Sequence, residues 1–167
     1  MPELKEVLTQ AFDQVDAKHS CSHFAWHVIQ GYVPDQQYMQ ANQLLQFLAR
    51  SPDWIEVDKN DSRGLANLAK QGALIVGGAQ AQPNGHVIVV YPGDPKESGG
   101  YAYSRSGKTE VLRSHGLYAR AMSRSLGDWP GAKSDGDKTI WDPWAGPKFN
   151  GVKLWVLKST RPATPSK

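Results

Sequence analysis

The first third of the chain repeats its apolar residues at helical spacing. Leu4, Val7, Leu8, Ala11, Phe12 and Val15 recur every three or four positions, which predicts an amphipathic helix over residues 2–16 with Pro2 in its first turn. A polar link, Ala17-Lys18-His19, leads to Ser20, a good N-cap, and then to Cys21-Ser22-His23-Phe24-Ala25-Trp26-His27-Val28-Ile29-Gln30. This segment reads as a second helix closed by Gly31, with Cys21 on its first turn. A third helix is predicted over residues 35–49, with Tyr38, Ala41, Leu44, Leu45 and Leu48 inward and Ser51-Pro52 as its stop. Trp54-Ile55-Glu56-Val57 suits a short strand, and residues 61–70 a short helix or turn.

Beyond residue 72 the pattern becomes one of strands. Ala73-Leu74-Ile75-Val76-Gly77 is a continuous apolar run, and Gln82-Pro83-Asn84-Gly85 is a turn cluster. His86-Val87-Ile88-Val89-Val90-Tyr91 is the strongest strand by β-branched content. A polar loop over residues 92–100 separates it from a third strand, Tyr101-Ala102-Tyr103-Ser104. Residues 117–126 read as a short helix, residues 127–142 as a long loop, and residues 152–157 as an interior closing strand. Hairpin connections imply an antiparallel sheet. Helices followed by strands around one core predict an α+β fold, in one domain over residues 1–160 with a frayed tail over residues 161–167.

Composition narrows the classes of function. With 167 residues, 40% of them hydrophobic and 21% charged, the chain suits one soluble domain, and no apolar stretch reaches the roughly 20 residues of a membrane span. Membrane insertion is therefore not expected. The start, Met1-Pro2-Glu3-Leu4-Lys5-Glu6, lacks the basic and apolar regions of a signal peptide, which predicts synthesis in the cytoplasm without export by the general route. The formal charge of +3 is scattered. Residues 105–124 hold five basic residues against Glu110, a solvated face that could also meet a polyanion. Nucleic acid is not the expected partner.

Cys21 is the single cysteine, which excludes internal disulfides and thiolate-rich zinc sites. A thiol at a helix N-terminus meets unsatisfied N–H groups and the positive end of the helix dipole, which predicts a lowered pKa and a nucleophilic thiolate. Such a nucleophile needs an imidazole from elsewhere in the chain. His86, after Asn84-Gly85 and at the head of the most β-branched strand, is the candidate. His19, His23 and His27 are spaced by four, but with Ser20 as N-cap His19 leaves the line, and no nearby carboxylate completes a hydrolytic zinc set. Neither a metal nor another cofactor is expected.

Ser20-Cys21-Ser22-His23-Phe24 resembles the cysteine motif of NlpC-type cell-wall peptidases, and Gly85-His86-Val87-Ile88-Val89-Val90 resembles their histidine motif. Gln71-Gly72-Ala73-Leu74-Ile75-Val76-Gly77 is similar to the strand before it. The resemblance spans residues 15–105 and is strongest to the peptidoglycan amidase effectors of type VI secretion systems. It departs at His23, where the family commonly has glycine. It implies a papain-like fold and a cysteine amidase in which Cys21 attacks an amide of the peptide stem, with the γ-D-glutamyl-diaminopimelate bond as target. His86 pairs with the thiol and protonates the leaving amine, and backbone N–H groups at Cys21 meet the oxyanion.

A third polar residue is expected to orient His86. Ser104 is the first candidate, on the assumption that the strand over residues 101–104 lies beside His86; Ser106, Asp142 or a backbone carbonyl are the others. Ser22 and His23 beside the nucleophile, and Trp141 and Trp144 in the late loop, are the expected substrate-binding residues. The resemblance further implies secretion as an antibacterial toxin acting in a target bacterium's periplasm, with a cognate immunity protein and a secretion-apparatus component as partners. Two other functions compete with this one: a housekeeping wall-remodelling peptidase, and a non-catalytic glycan-binding module using some of the six tryptophans.

Overall fold

Four helices precede most of the strands. In the computed structural model, which describes residues 3–15, 20–125 and 129–162 except the side chain of residue 105, helix α1 spans Leu4–Gln14, α2 Cys21–Gln30, α3 Ala41–Arg50 and α4 Ser62–Lys70. Strands β1 (Trp54–Val57), β2 (Ile75–Ala79), β3 (His86–Val90), β8 (Arg120–Ser123), β9 (Ser134–Thr139) and β10 (Lys153–Leu157) form one sheet in the order β1-β10-β2-β3-β8-β9. Every neighbouring pair is antiparallel. Between β3 and β8 lie β4 (Lys96–Glu97), β5 (Ala102–Arg105), β6 (Lys108–Val111) and β7 (Leu117–Tyr118), which pair only as β4 with β7 and β5 with β6. The chain is an α+β protein.

Strand β3 is the centre of the core. Val87, Ile88, Val89 and Val90 are all fully buried, and because successive side chains point to opposite faces, both faces of the strand are covered. Helices α2, α3 and α4 all contact it. α1 packs on α2 through Leu4, Val7, Leu8 and Ala11, the stripe that its periodicity predicted. β10 lies inside the sheet between β1 and β2, so the segment over residues 152–157 is the interior strand expected of it.

The helix predicted over residues 35–49 begins only at Ala41. The preceding segment is committed to α2 instead: the carbonyl of Gln36 accepts from the indole N–H of Trp26 at 2.8 Å, and the Tyr38 hydroxyl pairs with that of Ser22 at 2.8 Å. At the other end of α2, Gly31 closes the helix in a right-handed conformation. A Cβ there would lie 2.7 Å from Val7, so close packing against α1 explains this glycine.

Two predictions over the second half fail. Residues 117–125 do not form a helix: Leu117–Tyr118 and Arg120–Ser123 are strands, and residue 126 lies outside the described residues. Ala121, Met122 and Ser123 are buried in succession, with Ala119 buried just before them, which a one-sided helix cannot achieve, and pairing with the open edge of β3 outweighs the helix propensity of Leu, Ala and Met. The predicted loop over residues 127–142 contains β9, polar because it forms the edge of the sheet. Its register shifts at a bulge between Ala121 and Met122, where the Ser134 hydroxyl donates to the Ala121 carbonyl and accepts from the Lys138 N–H. Of the predicted tail, residues 163–167 lie outside the described residues.

Candidate active site

Helix α2 begins at Cys21, with Ser20 as N-cap. The Ser20 hydroxyl does not close the helix; it pairs with the Ser22 hydroxyl at 2.7 Å and with His23 Nδ1 at 2.8 Å. Cys21 is 7% exposed, and its sulfur meets backbone N–H groups of Val87, Ser22 and Cys21 itself. The contact with Val87 ties the start of α2 to the start of β3. Burial raises the Cys21 pKa above its ordinary value, and the N–H groups offset this only in part. The lowered pKa expected from the helix terminus is therefore corrected: desolvation outweighs the N–H groups, and the resting group is a thiol.

His86 opens β3 beside it. The turn before it is clamped by α3, where the Asn42 side chain donates to the Ala81 carbonyl at 2.9 Å and accepts from the Ala81 N–H at 3.2 Å. Gly85 passes directly beneath this clamp: a Cβ at that position would lie 2.4 Å from Asn42 Oδ1 and 2.8 Å from the Ala79 carbonyl. The Gly-His pair in the sequence thus reflects a crowded approach. The imidazole packs edge-on against Trp144, with centroids 5.6 Å apart. Although the residue as a whole keeps intermediate exposure, Nε2 is shut off from solvent and has no hydrogen-bond partner among the described residues. Burial lowers the His86 pKa to about 4, so the ring is neutral at pH 7.

Cys21 and His86 open into one cleft of about 900 Å³. Ser22, His23 and Trp144 line it as well, with the His23 ring stacked on Tyr38 at 4.4 Å. Trp141 does not. It is 4% exposed and stacked against His115 and Tyr118, at 4.5 and 6.4 Å, so it is a core residue and no wall of the groove. A smaller hollow of about 320 Å³ around Arg124, Lys133 and Asp137 holds neither a thiol nor an imidazole.

The candidates for the third residue lie away from His86. Ser104 pairs with Thr109 in the separate β5–β6 hairpin and Ser106 sits in the turn of that hairpin, so neither lies across from His86, whose sheet neighbours are β2 and β8. Asp142 is buried and committed elsewhere: its carboxylate accepts from the Gly99 N–H, the Tyr101 hydroxyl, and the N–H and hydroxyl of Thr139, all at 2.8 to 3.0 Å. Burial and this charge push the Tyr101 pKa up. β8 ends at Ser123, and Ser125, two residues beyond it, lines the cleft together with His86. Reading residues 117–126 as a helix hid this serine from the sequence.

Tyr38, Trp129 and Lys148 also line the cleft. His23 and His27 are both on α2, His19 lies outside the described residues, and no three potential metal ligands gather among the described residues. The arrangement offers a thiol, a neutral imidazole and backbone donors in a partly enclosed groove, the parts required for nucleophilic acyl transfer. No protein family is matched by the chain, and no characterised protein is significantly similar to it in sequence.

Proposed function

We propose that this chain is a papain-like cysteine amidase that hydrolyses an amide bond in the peptide stem of peptidoglycan, with γ-D-glutamyl-diaminopimelate as the target. The observation that carries the reading is the meeting of Cys21, at the head of α2, with His86, at the head of β3, in one cleft, where the Val87 N–H reaches the sulfur. The cell-wall substrate rests on the likeness of the Ser20-Cys21-Ser22 and Gly85-His86 segments to NlpC-type motifs.

Catalysis on this reading starts from a neutral pair. As the Cys21 sulfur attacks the carbonyl carbon, its proton passes to His86, and the oxyanion is met by backbone N–H groups at the start of α2. Collapse of the tetrahedral species breaks the C–N bond, His86 gives its proton to the departing amine, and a thioester remains on Cys21. His86 then takes a proton from water as that water attacks the thioester; release of the carboxylic acid restores the thiol. Ser125, which lines the same cleft, is the residue we assign to orient the ring. By the same resemblance the chain acts as a secreted antibacterial toxin in a target periplasm, held in check in its producer by an immunity protein that plugs the cleft.

Mass spectrometry of purified muropeptides treated with wild type or Cys21→Ala tests the reading. New amine and carboxylate termini should arise with wild type alone. Intact muropeptides under both treatments refute it.

A further inference from the structure

We infer that Lys148 makes the cleft selective for a substrate with a free carboxylate next to the amide bond to be cut, an inference that rests on the amidase reading above. The cleft has an unbalanced charge. Its polar walls include neutral groups such as Ser20, Ser22, Tyr38, Gln40 and Asn84; among the described residues no Asp or Glu lines it, and Lys148 is its one Lys or Arg.

Lys148 is unpaired. Lys70 and Lys138 engage Asp94 and Asp137, whereas among the described residues no carboxylate or carbonyl holds the Lys148 ammonium, and its side chain is exposed. Its backbone is nonetheless fixed. It sits in the short 3-10 turn Pro147–Gly151, anchored by the buried Phe149, whose ring meets Tyr118 edge-on at 5.2 Å. Four residues earlier the chain carries Trp144, which packs on the His86 imidazole, and both Trp144 and Lys148 line the cleft.

The start of α2 adds to this polarity. The first turn of α2 contributes Cys21, Ser22 and His23 to the cleft and contains no acidic residue, so among the described residues the positive end of the helix faces no carboxylate across the groove. Lys148 and the helix terminus together favour an anionic group lying across the nucleophile. In a γ-linked glutamyl amide, the free α-carboxylate is that group.

The test compares two synthetic stem peptides that differ only at the glutamyl α-position, which is a free carboxylate in one and a carboxamide in the other. Wild type, Lys148→Ala and Lys148→Arg are assayed by steady-state kinetics at low and high salt. Wild type should favour the acid about fivefold in kcat/KM, chiefly through KM, the scale of a solvent-accessible ion pair. The preference should fall to about one in Lys148→Ala, persist in Lys148→Arg and shrink as salt rises. Equal use of both peptides by wild type, or an undiminished preference in Lys148→Ala, overturns the inference. Cleavage of neither peptide overturns the amidase reading, and this inference with it.

Discussion

A neutral, buried His86 ties the stability of this protein to mildly acidic pH. Its pKa is about 4 in the folded chain against an ordinary 6.5, so between those values the unfolded chain binds a proton that the folded chain does not. Stability from this group is fully present above pH 6.5 and is lost as pH falls through about 4. At ~1.36 kcal/mol per pH unit, the 2.5-unit gap corresponds to up to about 3 kcal/mol. For a chain of this length that is a fall of roughly 6–12 °C in Tm. Replacing His86 by Gln removes the titrating group while keeping a polar side chain of similar reach. Thermal unfolding at half-unit steps from pH 7.5 to 4 should then show a steeper loss for wild type than for His86→Gln. Because acid also protonates carboxylates in both proteins, the difference between the two curves carries the result. Parallel curves, or an imidazole that titrates near 6.5 by NMR in the folded protein, would refute the reasoning.

Four further outcomes follow from the site. Alkylation of Cys21 by iodoacetamide should stay slow at neutral pH and accelerate only at a higher pH than for an ordinary free thiol, since burial holds the thiol protonated; a fast plateau already present in acid would show a preformed thiolate. Asp142→Ala should destabilise the fold by about 3 kcal/mol in urea melts, because four donors lose their shared acceptor in a buried setting. Asn42→Ala should cost about 1–2 kcal/mol and lower kcat, because the turn that presents His86 loses both hydrogen bonds to residue 81. Ser125→Ala should reduce muropeptide cleavage and narrow its pH profile, whereas Ser104→Ala should match wild type; the reverse order would return the orienting role to the β5–β6 hairpin.

Much of the first half of the fold was legible because its elements are set by local pattern. The apolar stripe of α1, the start of α2 at Cys21 and the β-branched run of β3 each state their structure within a few residues. Elements after residue 100 depend on partners far away. Arg120–Ser123 is a strand because β3 offers an unpaired edge, and β9 is a strand despite its polar sequence because it closes that sheet.

The candidate site divides along the same line. The sequence by itself determined that the chain has one thiol, that it stands at the head of a helix, and that a histidine leads the strongest strand, since each is a matter of residue type and near neighbours. Only the tertiary structure decided that the two share a cleft, that burial raises the thiol pKa and lowers that of the imidazole, and that Ser125 lines that cleft while Ser104 pairs with Thr109 elsewhere. Solvent exclusion and strand order are properties of the whole packed chain. A Trp141 buried against His115 and a Lys148 that is the one Lys or Arg among the described residues lining the cleft follow from that packing, and no local pattern records them.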